Sequence, residues 1–189
     1  KSIEELIEEA RGYFSSELLG LSQKQDDKKI QSERNALAEY ISVGIPPYRR
    51  IEDEPIDTQG KIKVELEGVK LPIYGYYDIQ FENHIRDLKT TRTIPFEIPY
   101  ATQRQLALYA YATKKEVWVD YVSRKKYSSK KIMDIPKIIA EVTHICQGIE
   151  KFMAITDDIH ELASMHHPNL DSWEWGEDDI NNWKKLGVS

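Results

Sequence analysis

Alternating polar and apolar residues in the middle of the chain constrain the fold more than any other feature. Residues 61–67 place an apolar side chain at every second position, which is the period of a strand with one buried face. Residues 71–81 are rich in Ile, Tyr and Phe, and residues 85–91 form a third segment after a turn at 82–84. Three consecutive strand patterns with short connections predict an antiparallel meander.

Helical periodicity precedes this strand region. Residues 1–45 predict two helices, the second from about 32 to 43 and ended by Gly44, Pro46 and Pro47. A polar, lysine-rich loop is expected between them, at residues 20–29.

The remainder of the chain predicts a helix at 102–113, a fourth strand at 117–122 and a long final helix. Asp134 followed by Pro136 is typical of a helix start, and the last helix is expected to continue to about residue 165 with a bend near Gly148. The order of elements predicts an α/β (α+β) fold, a central mixed β-sheet flanked by helices.

The length of 189 residues suits one domain, so we expect residues 1–189 to form a single unit. Within it, residues 61–122 hold the strands and one helix, residues 134–166 the long helix, and residues 168–189 an acidic tail. The tail contains Trp173, Trp175 and Trp183, which favour packing on the chain's own core, with docking of a partner as the alternative.

Composition limits the function classes. The single cysteine, Cys146, excludes a disulfide framework, a four-cysteine zinc site and a four-cysteine iron–sulfur cluster, and predicts a reducing, cytoplasmic location. No apolar run approaches the length of a membrane span, and the acidic first residues do not form a signal peptide. No phosphate-binding P-loop motif is present, so no ATP is expected. A net charge of −6 argues at first against a nucleic-acid partner.

Asp78, Asp87 and Lys89 are the residues whose spacing predicts a catalytic site. Side chains two apart on a strand share a face, so Asp87 and Lys89 project together, and a hairpin would bring Asp78 close to Asp87. Two carboxylates predict a hard-cation site such as Mg²⁺, with an amine beside it. For the short Asp-x-Lys motif taken by itself, a solvated strand edge is the simpler interpretation.

A second pair lies on the helix predicted at 102–113. Gln105 and Tyr109 are one helical turn apart and therefore share a face, next to the apolar residues Leu106 and Ala110. An ordinary buried helix accounts for the apolar residues and leaves Gln105 unexplained.

The ordered set Gly75-x-x-Asp78, Asp87-x-Lys89 and Gln105-x-x-x-Tyr109 resembles the PD-(D/E)xK nuclease superfamily, in particular its RecB-like and lambda-type exonuclease branch. The resemblance covers roughly residues 32–122 and implies a restriction-endonuclease-like core. It also implies a metal-dependent DNA nuclease that hydrolyses phosphodiester bonds. An exonuclease of DNA recombination, repair or phage DNA processing is expected. A non-catalytic DNA-binding or recombination-partner module, and a site-specific endonuclease, are the alternatives.

The resemblance implies a role for each matching residue. Asp78 and Asp87 would hold Mg²⁺ or Mn²⁺ with the Leu88 carbonyl, Lys89 would be the catalytic lysine, and the catalytic set is completed by Gln105 and Tyr109.

The resemblance further implies an acid on an early helix that completes the metal site. Glu39 is favoured slightly over Glu33, and a pair of solvated helix-surface acids is an equally good account.

DNA is the expected partner in spite of the net charge, because acids concentrate at both ends of the chain. The residues expected to contact DNA are Arg86, Arg92, Arg104 and Tyr109. The resemblance is to small stand-alone nucleases of phages and mobile elements, acting in the host cytoplasm. A recombinase, a single-strand annealing protein and a second copy of the chain are further candidate partners.

Overall fold

The computed structural model describes residues 1–20, 27–166, 168–169 and 176–186. Its elements are α1 (Ile3–Gly20), α2 (Asp27–Tyr48), β1 (Asp57–Val64), β2 (Ile73–Gln80), β3 (His84–Thr90), α3 (Tyr100–Thr113), β4 (Glu116–Val122), β5 (Tyr127–Lys131), α4 (Ile135–Met153), α5 (Ile159–Ser164) and α6 (Glu177–Lys185). No helix within these residues is both long and apolar enough to span a bilayer.

The five strands form one mixed sheet in the order β1-β2-β3-β4-β5. β1, β2 and β3 are an antiparallel meander, β3 and β4 are parallel, and β5 returns antiparallel to β4. A parallel neighbour requires a crossover connection, and α3 provides it between β3 and β4. The predicted α+β fold, a mixed sheet with flanking helices, is confirmed.

Helices cover both faces of the central strands β3 and β4. Side chains alternate between the faces of a strand, and Lys89 of β3 contacts Gln105 of α3, so Ile85, Asp87 and Lys89 face α3. On the opposite face, Asp120 of β4 bonds to Tyr48 of α2. The most deeply buried apolar side chains of this core include Phe81, Ile85, Leu106, Val117, Val119 and Val122.

The prediction that Gly44, Pro46 and Pro47 end the second helix is wrong. α2 continues to Tyr48 with both prolines inside it. A proline inside a helix removes a backbone donor and presses on the carbonyl four residues earlier, so the last turn of α2 depends on contacts outside the helix. Here Tyr48 Oη donates to Asp120 Oδ2 at 2.7 Å.

One strand and the end of the last long helix also differ from the prediction. β5 was not predicted, because its sequence Tyr-Ser-Ser-Lys-Lys is polar; an edge strand tolerates such side chains, since its stability comes from backbone pairing with β4. The last long helix ends at Met153, and α5 is a separate helix started by Asp158, whose carboxylate accepts from the His160 backbone N–H at 2.8 Å.

The chain divides into two compact units. The first, Lys1–Val64 with Ile73–Ile139, contains the whole sheet. The second consists of Glu65–Pro72 and Ala140–Ser189, where the Glu150 carboxylate accepts from the backbone N–H groups of Lys70 and Leu71. Of the tail tryptophans, Trp183 packs edge-on to His166, while Trp173 and Trp175 lie outside the described residues. The expectation of a single domain stays a prediction.

Candidate active site

β2 and β3 separate where the two predicted carboxylates lie. The strands pair only at Ile79↔Arg86 and Gln80↔Ile85, and continuing that register would place Asp78 opposite Asp87. Instead, the Leu88 backbone N–H donates to Asp78 Oδ2 at 2.7 Å. A side-chain carboxylate thus takes the bond that a strand carbonyl would otherwise accept, which fixes Asp78 next to the Asp87–Leu88 peptide.

Gln59 of β1 holds the other oxygen of Asp78. Its Nε2 donates to Asp78 Oδ1 at 3.0 Å, from a backbone with φ of 54°, in the left-handed region that few residues other than glycine adopt. Nothing in the sequence pattern singled out Gln59, because its position opposite Asp78 depends on the register of β1 and β2.

Asp87 is almost completely buried, with 3% of its surface exposed. Its Oδ2 lies 2.8 Å from Lys89 Nζ. Apart from this ion pair, that oxygen has no hydrogen-bond partner in the described part of the chain. Burial raises the pKa of the Asp87 carboxyl, Lys89 opposes the rise, and the charges of Asp78 and Asp120 add to it. A buried carboxylate oxygen that contacts an ammonium still has a lone pair with which it can bind a cation.

A chain of hydrogen bonds joins the strands to α3. Lys89 Nζ donates to Gln105 Oε1 at 3.1 Å, and Gln105 Nε2 donates to Tyr109 Oη at 2.7 Å. Tyr109 Oη in turn donates to the backbone carbonyl of Tyr76 at 2.6 Å. The structure therefore brings Asp87, Lys89, Gln105 and Tyr109 into one connected group.

Gly75 of β2 makes room for Tyr109. A Cβ atom at Gly75 would lie 3.2 Å from Tyr109 Cε1, closer than ordinary van der Waals contact. The glycine of the Gly75-x-x-Asp78 motif thereby lets α3 approach β2. Burial raises the pKa of the Tyr109 phenol above its ordinary value.

The Leu88 carbonyl has a suitable direction for the predicted role. In a strand, the N–H and C=O of one residue point to the same side, and the Leu88 N–H points to Asp78 of β2. Its carbonyl is therefore directed toward β2 as well, into the region where the two strands separate.

Glu39 has a different environment. Its carboxylate lies 3.6 Å from Arg124 Nε and is exposed. Across the described residues, no three His, Cys, Asp or Glu side chains form a group that could hold a metal ion, so the structure does not gather Glu39 or Glu33 with Asp78 and Asp87. A cation here would have two carboxylates, a backbone carbonyl and water as ligands, which suits Mg²⁺, an ion that keeps several waters.

Arg86 does not share the face of Asp87. Its Nη1 lies 3.0 Å from both carboxylate oxygens of Asp120, and its side chain is 15% exposed. The fully buried Asp120 also accepts from Tyr48 and Tyr127. The expectation that Arg86 flanks the site is corrected, because Arg86 lies between Ile85 and Asp87 and alternation sends it to the opposite face. The same alternation, applied to the sequence, would have placed Arg86 on the face opposite Asp87.

The other two arginines expected to contact DNA are placed differently. Arg104 stacks on Tyr100 of its own helix, with its guanidinium carbon 4.6 Å from the ring centre. Arg92 is exposed in the segment that follows β3.

Comparison with known proteins gives a likeness of fold. No family model matches the chain, and no curated protein does. The protein in the crystal structure of SSO0001 is 19% identical in sequence to this chain. The TM-score between them is 0.42 over 73% of this chain and 71% of that one, which is too low to establish a shared fold. The crystal structure of a "Putative exonuclease" from Eubacterium rectale is 15% identical. Its TM-score is 0.51 over 96% of this chain and 75% of that one, so the two chains share a fold.

Proposed function

We propose that the protein is a Mg²⁺- or Mn²⁺-dependent DNA nuclease of the PD-(D/E)xK superfamily, and an exonuclease of its RecB-like, lambda-type branch. The observation that carries the proposal is the connected group in which Lys89 joins Asp87 of β3 to Gln105 of α3. Asp78 is fixed beside this group by its bond to the Leu88 N–H. The name of the Eubacterium rectale structure points to the same activity.

The residues present fit a hard divalent ion. Asp78, Asp87 and the Leu88 carbonyl offer only oxygen donors, and Asp87 Oδ2 is a buried oxygen paired with the Lys89 ammonium. When bound, the ion supplies positive charge that stabilises the phosphate as negative charge develops and that acidifies water.

The chain's own groups would orient the reaction. Hydrolysis adds water across a P–O ester bond and leaves a phosphate monoester and a hydroxyl group. Lys89 carries a positive charge that would stabilise the charge developing on the phosphate oxygens. Gln105 and Tyr109 hold the Lys89 ammonium in place through hydrogen bonds of 3.1 and 2.7 Å, so their role is positioning.

Cleavage of end-labelled linear DNA and of internally labelled circular DNA tests the proposal, each with Mg²⁺, with Mn²⁺ and with a chelator. We expect degradation of linear DNA that requires metal and is lost in Asp87→Asn and Lys89→Met. Asp157→Asn removes an exposed acid outside the site and is expected to cut like the wild type. Degradation of linear but not circular DNA is expected from an exonuclease, and cutting of circles would assign an endonuclease instead.

Metal binding is measured separately, by calorimetric titration of Mn²⁺ into the wild type, Asp78→Asn and Asp157→Asn. Loss of the binding heat in Asp78→Asn alone is the expected result. DNA binding without a Mn²⁺ site and without cleavage would contradict the nuclease and support a non-catalytic DNA-binding module.

A further inference from the structure

A basic cleft lies beyond the end of β3 that carries the candidate site. It has a volume of about 610 Å³ and is formed by two segments, the one that follows β3 and the turn between β4 and β5. Four of its lining residues are cations and none is an acid: Arg92, Arg124, Lys125 and Lys126. A concentration of positive charge on a chain with a net charge of −6 is a local feature that the total charge conceals.

Three of these four cations are not neutralised. Arg124 lies 3.6 Å from the Glu39 carboxylate, whereas no carboxylate pairs with Arg92, Lys125 or Lys126 among the residues that the structure describes. Polar groups of the same cleft, including Ser128, could add neutral hydrogen bonds. The cleft is therefore complementary to an anion with several charges.

The turn that carries the lysines has a fixed backbone. The N–H of Ser123 donates to the Lys126 carbonyl at 2.8 Å, and the Lys126 N–H donates to Ser123 Oγ at 2.9 Å. Because these bonds close the turn within itself, Arg124, Lys125 and Lys126 are presented on a preorganised loop, which lowers the entropic cost of binding.

Phe96 comes two residues after Ile94, which lines the cleft, and is almost completely exposed, at 94%. Its backbone is anchored, since Lys130 Nζ donates to the carbonyls of Pro95, at 2.8 Å, and Phe96. Lys130 belongs to β5, the strand whose first residues, Tyr127 and Ser128, line the cleft. An apolar ring held in water on a fixed backbone is a surface on which a base can stack.

The cleft is within reach of the candidate site. Arg92 is five residues after Asp87, so their Cα atoms are at most about 18 Å apart. A strand of nucleic acid rises about 3.4 Å per nucleotide in a duplex and can extend further when unpaired. A strand bound at Asp87 could thus reach the cleft within a few nucleotides.

From this arrangement we infer that the cleft binds the sugar–phosphate backbone of an unpaired nucleic-acid strand and that Phe96 stacks on one of its bases. The inference rests on the proposed function for the kind of ligand, and it deepens it, because it assigns single-strand recognition to residues that belong neither to the metal site nor to the group around Lys89.

Binding without cleavage tests the charge of the cleft. The probes are a fluorescein-labelled oligo(dT) and a fluorescein-labelled duplex hairpin. Fluorescence anisotropy gives the binding affinity for each probe, in the presence of a chelator and over a series of salt concentrations. The variants are Arg92→Ala/Lys125→Ala/Lys126→Ala and a control that removes the same charge elsewhere, Lys70→Ala/Lys137→Ala/Lys151→Ala. Because each single-strand phosphate contact contributes about 0.7 to the salt slope, the cleft variant should lose about 2 from the slope and the control should lose none.

Stacking on Phe96 is tested with the variants Phe96→Ala and Phe96→Trp. Met133→Ala is the matched control, because it also removes an exposed apolar side chain. We expect Phe96→Ala to bind oligo(dT) about 5-fold to 150-fold more weakly with an unchanged salt slope, and Phe96→Trp and Met133→Ala to bind like the wild type.

The outcomes separate this inference from the proposed function. Cleft-dependent and Phe96-dependent binding in a protein that never cuts DNA would support the inference and overturn the nuclease. Metal-dependent cleavage with equal salt slopes for the cleft and control variants would support the nuclease and overturn the inference. The inference is also overturned if Phe96→Ala binds oligo(dT) normally, if the wild type binds the duplex hairpin as tightly as oligo(dT), or if the wild type binds neither probe.

Discussion

The ammonium of Lys89 lies 2.8 Å from Oδ2 of Asp87, a carboxylate whose side chain is only 4% exposed. The same ammonium donates to Gln105 at 3.1 Å, so Lys89 connects Asp87 of β3 to Gln105 of α3. Removing it leaves a buried acid without its counter-charge.

Lys89→Met should therefore lower the free energy of unfolding at neutral pH by about 1–3 kcal/mol, the usual cost of an unsatisfied buried acceptor. The double variant Asp87→Asn/Lys89→Met should lose less than the sum of the two single losses, because no charge then remains unpaired. Urea denaturation of the four proteins measures this coupling. Additive losses would show that the two groups do not interact in solution.

Gly75 and Gly148 predict opposite effects of the same substitution. At Gly75, a new methyl group would press on the Tyr109 ring, which is held by bonds to Gln105 and Tyr76, so Gly75→Ala should destabilise by about 1–3 kcal/mol. At Gly148, within α4, nothing lies within 4 Å of the new atom. Gly148→Ala should stabilise the helix by about 0.5–1 kcal/mol. Thermal denaturation of both variants checks the signs, and a harmless Gly75→Ala would contradict the close packing.

Asp120 is expected to be more important for stability than for activity. It is fully buried and accepts from Arg86, Tyr48 and Tyr127, so Asp120→Asn leaves the Arg86 charge uncompensated and should cost about 3–5 kcal/mol. Arg86→Met in the Asp120→Asn background should restore part of the loss. Denaturation measures both effects, with Asp157→Asn as the exposed control; a loss in Asp120→Asn no greater than in Asp157→Asn would contradict the network.

Tyr127 predicts a loss of stability in alkali. Burial, followed by its hydrogen bond to Asp120, raises the pKa of Tyr127 to about 12. Its pKa in the unfolded chain is about 10, so between these values the folded protein binds more protons than the unfolded one. This contribution is fully present below about pH 10 and is lost as the pH rises toward 12.

The expected contribution of Tyr127 to this fall is on the order of 1 kcal/mol, after allowing for solvent screening. It is measured as the difference between the wild type and Tyr127→Phe in unfolding free energy across that pH range. Phenolate absorbance should show one fewer late-titrating tyrosine in the variant. Parallel stability curves for the two proteins would contradict the raised pKa.

The sequence by itself determined the order of the elements from α1 to α4, apart from β5, and the existence of strands β1 to β4. Alternation over residues 61–67 and the apolar segments after it predict β1, β2 and β3, because a strand buried on one side must repeat every two residues. Helical spacing likewise placed Gln105 and Tyr109 on one face of α3, where the structure joins them by a 2.7 Å hydrogen bond. These features are local, so local periodicity suffices to find them.

Only the tertiary structure decided the features that depend on contacts between distant segments of the chain. The extension of α2 through Pro46 and Pro47 accompanies the bond from Tyr48 to Asp120, and Gln59 reaches Asp78 through the register of β1 and β2. β5 exists because β4 offers it backbone partners, although its own side chains are polar. Hydrogen bonds and ion pairs between distant segments have no period along the chain, so they become visible only once the strands have a register and the helices a face.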